Sequence, residues 1–540
     1  METTELPAQR QAPAPEPQNG TTPPGDRRQW LRRFGPPALE VGVSLAAAAW
    51  MLLSTVTIHH FAPLNRISQV SGLAALQVRF YAVALIAVTA LLLVRLPRFA
   101  HLSDRVRPLA FATLPGLLSG FVGAGVLLAL RGVPLPLNGV SGDAGDMERW
   151  VLMLKNGQST HAGYPPLYPR LVWFVTFLTH GNVFTAYKYS EIVTTALLGP
   201  AAYLAWRLVT RPAWAMAIAL VATAVLVEPY KSYEPLVLAI FVPLVIRVLR
   251  YLPTTADRSY RTVLVAGLLW GLVFGEIFIL FSGWYYWAAI GIAVCGALKF
   301  PWRAWRKGAA FVGATAVGFL IPAYDLLMGL LHDPPDPYFF FGTSQDPAYI
   351  SIWITDMPGQ KLVNGVWPPP GELGGVGVFT AIIIIGLGVA LALGLKRTPV
   401  MVAASFIGGA WLIRFHLASE MYRDHLVRYW PRASQMILYC LLILTVYAIK
   451  LTAERARPML AALRERAADS GVSGSGAAAV APAAAWAVGL FAAAILFTGM
   501  AGSASADKFM PKNDGSPGQL AWNAHFSHAN DLVTDIHTGP

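Results

Sequence analysis

The fold turns on LYPRLVWFVTFLTH, residues 167–180. The stretch is apolar enough to enter a membrane. Its fourteen residues would make a helix of only about 21 Å, against the roughly 30 Å of a bilayer's hydrocarbon core. If it crosses, every later loop lies on one side of the membrane; if it does not, every later loop lies on the other.

The rest of the chain leaves no doubt about the solvent. Of 540 residues, 55% are hydrophobic and 13% charged, whereas a soluble protein carries about 25% charged residues. Apolar runs near the length of a spanning helix recur, among them 72–94, 375–395 and 483–502. Candidate spans fall at about 37–58, 72–94, 108–130, 189–207, 213–229, 234–251, 262–281, 284–299, 308–331, 374–395, 399–415, 432–450 and 481–502. The fold class is an all-α polytopic membrane protein with about 13 transmembrane helices, provided that 167–180 does not cross.

Charge decides that point. Cytoplasmic loops of membrane proteins retain Lys and Arg. With the N-terminus inside and 167–180 lying as an interfacial or re-entrant helix, the inner loops collect Arg95, Arg98, Arg105 and Arg107, then Arg207 and Arg211, then Arg247, Arg250, Arg258 and Arg261. Further inner loops hold Lys299, Arg303, Arg306 and Lys307, then Lys396 and Arg397, then Lys450, Arg455, Arg457, Arg464 and Arg466. A crossing at 167–180 would invert the bias. The threading is thirteen spans, N-terminus cytoplasmic and C-terminus outside, and it explains the +12 net charge without invoking nucleic acid.

The chain then divides into a disordered cytoplasmic tail (1–36), a transmembrane domain (37–502) and a polar extracytoplasmic tail (503–540). RRQWLRRFG (27–35) looks like a twin-arginine export signal, but the apolar run after it is too long and lacks a small-residue cleavage site. Cys295 and Cys440 lie in apolar spans, far apart in sequence, and read as buried free thiols. No internal repeat is visible.

The threading places a large first extracytoplasmic loop at about 131–188. Its SGDAGDMERW (141–150) holds Asp143, Asp146 and Glu148, and its HAGYPPLYPR (161–170) holds Tyr164 among prolines that forbid a regular helix. EPYKSYEP (228–235), carrying Glu234, and FSGWYYW (281–287), carrying Trp284 and Tyr285, emerge on the same face, as does the 332–373 loop. Glu276, inside the seventh span, is an intramembrane charge of the kind that favours function. The last outer loop breaks the charge rule: RFHLASEMYRDHLVRYWPR (414–432) puts Arg414, Arg423, Arg428 and Arg432, with His416 and His425, where cations should be few. Guanidinium groups fork onto phosphate oxygens. Carboxylates and aromatic faces suit a sugar, so the face as a whole suits a sugar joined through phosphate to a lipid.

At these residues the chain resembles the integral-membrane GT-C glycosyltransferases, which use polyprenyl-phosphate sugars and carry an acidic residue in the first large outer loop. More closely it resembles the N-terminal membrane part of the mycobacterial galactan arabinofuranosyltransferase A family. The matching stretches are GVSGDAGDM (139–147), YPPLYP (164–169), YKSYEP (230–235) and LVRYWP (426–431), in that order. The resemblance implies transfer of arabinofuranose from decaprenyl-phosphoryl-arabinose to a cell-wall galactan. It matches Asp143 to the loop aspartate, Glu234 to the acid of the "EP" pair and Arg428 to the arginine before the last outer-face span. The chain departs from the family after span thirteen, where the family has a sizeable soluble domain and this sequence has the polar tail.

The expected reaction inverts the anomeric centre. Asp143 takes the proton of the acceptor hydroxyl, Asp146 or Glu234 stabilises an oxocarbenium-like sugar, and Arg428 and Arg432 hold the departing phosphate. Glu148, Tyr164, Trp284, Tyr285 and Arg423 complete the expected substrate-binding set. The expected partners are the polyprenyl-phosphate sugar donor, a glycan acceptor and membrane lipid, with no cofactor. Asp143, Asp146 and His161 are the residues a metal would use, and the reading is without one. The alternatives are a transferase for another polyprenyl-phosphate sugar, such as mannose or an amino sugar, and a transporter or flippase. A transporter would place polar groups at the bilayer midplane and often shows inverted repeats.

Overall fold

The structure is a computed structural model that describes residues 27–158, 160, 163–332, 378–425, 430–469 and 476–530. In chain order the helices are α1 (Arg27–Ser54), α2 (Arg66–Leu93), α3 (Ser103–Ala129), α4 (Asp143–Lys155), α5 (Leu167–Thr176), α6 (Val183–Arg207), α7 (Pro212–Leu226) and α8 (Tyr233–Tyr251). There follow α9 (Tyr260–Leu280), α10 (Gly283–Lys299), α11 (Trp305–His332), α12 (Val378–Gly394), α13 (Thr398–Asp424), α14 (Trp430–Asp469), α15 (Gly476–Lys508) and α16 (Gly518–Ala529). Among the described residues there is no strand.

Nine helical segments among the described residues are long and apolar enough to cross a membrane, and α7 and 379–394 are shorter apolar helices. The protein is therefore an all-α, multi-pass membrane protein. Two further expected spans coincide with α6, diluted by Lys188 and Glu191 in its first half, and with α10, which has 17 residues.

Burial sorts the helices into inner and outer sets. The 97–129 segment is the most enclosed, 89% buried over its apolar window, while α2 and the 302–332 segment are only 22% buried. The outer helices turn Val78, Leu85, Ile86, Leu269, Val317 and Ile321 outward, an apolar belt that suits hydrocarbon rather than water. Small residues set how closely the helices approach. Gly116 and Gly120 of α3 leave no room for a Cβ against the backbone of Ser44 and Ala48 in α1. Gly267, Gly271 and Gly275, at four-residue spacing on α9, meet the backbone of α11 in the same way.

Three expectations about element limits need correction. The helix of the first span reaches back to Arg27, ten residues into the expected tail, in spite of Pro36 and Pro37, which interrupt its backbone hydrogen bonds. The expected loop at 414–432 is helical up to Asp424, where His425 ends α13 in the left-handed conformation (φ 53°). An Arg423–Glu420 pair at 2.6 Å, one turn apart, supports that last turn. Arg414 is therefore inside the bundle, fully buried, with its Nη1 donating to Ser434 Oγ at 2.9 Å. The polar tail contains the ordered helix α16, which docks on the segment between α3 and α4.

Side-chain N–H donors close the helix ends beneath the first loop. The carbonyls that end an α-helix lack intrahelical donors. After α3 the Leu130 and Val133 carbonyls accept from buried Lys188 Nζ at 2.9 and 2.5 Å. The Ala129 carbonyl lies 2.8 Å from His525 Nε2 of α16; a carbonyl only accepts, so that nitrogen carries the proton. Arg131 Nη2 donates to Thr55 O at 2.7 Å in the same manner. The loop thus leaves the bundle from a braced edge.

Candidate functional site

SGDAGDM folds as a turn that delivers Asp143 to the first position of α4. Gly142 makes the turn possible, with φ 59° and ψ −136°, a conformation that L side chains rarely adopt. Gly145 packs so closely on the Val140 carbonyl that a Cβ there would collide. At a helix N-terminus a carboxylate is favoured by the dipole, and Asp143 and Asp146 both occupy the first turn.

Their surroundings then separate them. Asp143 Oδ2 forms an ion pair with Lys231 Nζ, from the turn between α7 and α8. Asp146 turns instead toward Arg149 of its own helix, at 2.6 Å, with 42% of its side chain exposed. Glu148 is buried on the inner side of α4.

Lys231 is the centre of the cluster. Beyond it Glu234, in the first turn of α8, accepts two bonds from Arg432 of α14: Nη2 to Oε1 at 3.0 Å and Nε to Oε2 at 3.3 Å. This pair is largely enclosed, with 15% of the Arg432 side chain and 8% of the Glu234 side chain exposed. Burial pulls the Lys231 ammonium down, but the Glu234 and Asp143 carboxylates outweigh it and hold the group above its usual value. For Glu228, at the start of the same turn, burial wins over the neighbouring charges. Burial raises its carboxyl to about 7, with Glu234 adding to the rise while Tyr230's backbone and the Lys231 and Lys508 charges oppose it.

A hydrogen-bonded chain holds the Asp143 backbone in place. The Tyr230 hydroxyl accepts from the Asp143 amide at 3.1 Å and from Asn138 Nδ2 at 3.5 Å. Asn138 Oδ1 in turn accepts from Asn523 Nδ2 of α16 at 2.8 Å, and the Asn138 amide donates to Leu520 O at 2.8 Å. The carboxylate is thus located from two sides, by the α7–α8 turn and by the C-terminal helix.

The aromatic residues act mostly as wall. Tyr164 stacks on Trp150 of α4, ring centroids 3.8 Å apart, and its hydroxyl meets that of Tyr233 at 2.6 Å. Burial pushes the Tyr164 phenol well above its usual range. Tyr233 contacts Phe281, and Arg432 lies over the Phe281 ring at 5.3 Å. Trp284 is fully buried and donates through Nε1 to the Glu234 backbone carbonyl at 2.9 Å. It positions Glu234 and offers no free face to a sugar. Tyr285 turns into the bundle, donating to Phe274 O at 2.6 Å beside Phe241 and Phe278.

The structure therefore brings Asp143, Tyr164, Glu234 and Arg432 into one cluster. It leaves Asp146 and Arg423 apart, Arg423 being exposed and paired with Glu420 and Asp424. Glu276 is exposed on the surface of α9 and does not join the cluster. Arg428 and His161 lie outside the described residues. Among the described residues no three His, Cys, Asp or Glu converge as a metal site, and Cys295 and Cys440 are free and buried.

Sequence reasoning passed over Lys231 and Tyr230. A signal was present: Lys231 is a cation in a short turn between two acids, on the face the threading makes poor in cations. No protein-family model matches this chain, and no curated protein matches it.

Proposed function

We propose that this protein is a GT-C-type glycosyltransferase that takes its sugar from a polyprenyl phosphate, with arabinofuranose as the sugar and a cell-wall galactan as the acceptor. The reading includes the thirteen-span threading, with the N-terminus in the cytoplasm and the Asp143 cluster outside. Its α5 lies in the interface. At ten residues that helix is about 15 Å long, half of what a crossing needs, and it turns Phe174, Phe177 and Leu178 outward beside it.

The observation that carries the reading is the gathering of Asp143, Lys231, Glu234 and Arg432 at one end of an apolar bundle. A lipid-linked substrate can bring its phosphate and sugar there while its chain stays in the bilayer. Asp143 is the base: it accepts the proton of the acceptor hydroxyl as that oxygen attacks the anomeric carbon. The bond from that carbon to the phosphate oxygen breaks, and the polyprenyl phosphate leaves with the electron pair. Lys231 orients the Asp143 carboxylate. The arriving phosphate competes with Glu234 for the fork of Arg432, which turns Glu234 toward the positive charge growing on the sugar. Glu234 suits that role better than Asp146, which faces Arg149.

The test is the mass of product formed by purified protein from synthetic polyprenyl-phosphoryl arabinofuranose, mannose and an amino sugar, each with a galactan oligosaccharide. Arabinosylated oligosaccharide and free polyprenyl phosphate are expected. Asp143→Asn keeps the shape but not the basicity, and turnover should fall by about 10²-fold or more. Turnover near that of the unmodified protein would remove Asp143 from the chemistry. A preference for another sugar would change the donor and leave the class intact.

A further inference from the structure

α6 is a single helix of 25 residues, so the turn that follows it lies at the opposite end of the bundle from Asp143. There a cavity of about 590 Å³ opens between the α6–α7 turn and α14, within the range of small-molecule pockets. Its lining includes Arg207, Arg211, Lys450 and Arg457, with Glu454 as the one carboxylate.

Two of these charges are already answered. Arg207 is held by buried Glu40, with Nε to Oε2 at 2.6 Å and Nη2 to Oε1 at 2.9 Å. Glu454 faces Arg397 at 3.6 Å. Lys450 Nζ donates to the Thr210 hydroxyl at 3.2 Å, a neutral partner. Among the described residues no carboxylate pairs with Lys450, Arg211 or Arg457. Lys450 and the exposed Arg211 and Arg457 therefore converge on a partly open cavity whose one lining carboxylate, Glu454, already faces Arg397.

The backbone adds to the same field. Arg211 precedes α7, with Pro212 at its first position, so the positive end of a 15-residue helix faces this cavity. Scattered basic side chains are ordinary at one end of a membrane protein. Three of them around a cavity, beside a helix N-terminus, make a place for an anion.

We propose that this cavity binds a phosphate ester, and that its source is the headgroup of an anionic phospholipid. Half-buried Trp214 and exposed Leu208 form an apolar rim, which suits a ligand whose tails remain in the bilayer. The space exceeds what a bare phosphate fills and accommodates the glycerol beside it. The bound headgroup ties the α6–α7 turn to α14, the helix whose far end carries Arg432. This inference does not depend on the transferase reading.

The experiment uses the full chain in phosphatidylcholine nanodiscs doped with phosphatidylglycerol, with native mass spectrometry reading the lipid retained after delipidation. Unmodified protein should retain phosphatidylglycerol in preference to phosphatidylcholine. The Arg211→Gln, Arg457→Gln double variant loses two charge-assisted contacts and should retain roughly ten- to a hundredfold less. A double variant with Arg303→Gln and Arg306→Gln, which removes equal charge from exposed positions at the same end of the bundle, should retain as much as the unmodified protein. Thr210→Trp fills the cavity without changing charge and should also abolish retention. Displacement of the lipid by inorganic phosphate at equal concentration would make free phosphate the ligand of the same site. Equal loss in both arginine double variants would reduce the site to diffuse surface attraction and overturn the proposal. So would failure of the unmodified protein to retain phosphatidylglycerol or to bind phosphate.

Discussion

Arg432→Gln tests whether the Glu234–Arg432 pair holds α8 to α14. The side chains are 8% and 15% exposed and share two hydrogen bonds, one at 3.0 Å and one at 3.3 Å. Removing the guanidinium leaves the Glu234 carboxylate enclosed without its main partner. For buried pairs that costs about 3–5 kcal/mol. Side-chain hydrogen bonds in membrane proteins average only about 0.6 kcal/mol, because the unfolded chain finds other partners in the membrane. A charged, bidentate and mostly enclosed pair belongs nearer the upper figure, and about 3 kcal/mol is expected for Arg432→Gln. Glu234→Gln should cost somewhat less, since Trp284 still donates to the unchanged backbone carbonyl at position 234. Combining the two removes both charges and should recover about 2 kcal/mol of the summed loss. Of what stays lost, roughly 0.5–1 kcal/mol is the Arg432 contact with Phe281. Reversible unfolding of all four proteins in mixed micelles measures the cycle. Additivity within about 0.5 kcal/mol would refute the pair as a coupling element.

The remaining predictions concern topology, acidity and the C-terminal helix. Cysteine placed at exposed Gln158 should react with an impermeant thiol reagent outside intact cells while cysteine at exposed Asp257 stays protected; the reverse pattern would invert the threading. Glu228 has a carboxyl raised to about 7, so the folded state holds a proton there that the unfolded state releases near the usual carboxylate value. Its contribution is fully present below about pH 4.5 and is lost as pH rises through 7. Glu228→Gln should therefore flatten the stability profile between these limits and stabilise the protein at pH 8 by on the order of 2 kcal/mol, allowing for partial exposure; an unchanged profile would assign the titration elsewhere. Asn523→Ala should weaken the docking of α16 by about 1 kcal/mol and speed amide exchange at 138–142 and 518–529 together. Faster exchange in α16 only would show that the C-terminal helix does not brace the turn before Asp143.

Much of the candidate site was legible because its residues break a rule of composition. Asp143 and Glu234 are carboxylates in a chain poor in charge, and Arg432 is a cation where the threading expects few. Rule-breaking of this kind marks a residue but says nothing of its partner. Trp284 and Tyr285 read as a sugar platform because aromatics near span ends face either way. Helical geometry turned the Trp284 indole to a backbone carbonyl and Tyr285 into the bundle. Arg423 was grouped with Arg432 by proximity in sequence, whereas α13 runs on past the expected span end at 415 to Asp424 and pairs Arg423 with Glu420 of its own helix.

What the sequence by itself determined is the solvent and the class. A sustained apolar composition and spans of bilayer length admit an all-α membrane protein, because lipid leaves backbone groups no partner but a helix of their own. Periodicity and charge are local quantities, and they are readable one segment at a time. Partnership across long separations is not. The meeting of Asp143 with Lys231, the joining of Glu234 to Arg432 across nearly two hundred residues and the bracing of Asn138 by Asn523 depend on which helices neighbour one another and how far each is rotated. Those choices were made by the packing of glycine faces such as α3 on α1 and α9 on α11. Only the tertiary structure contains the sum of those contacts.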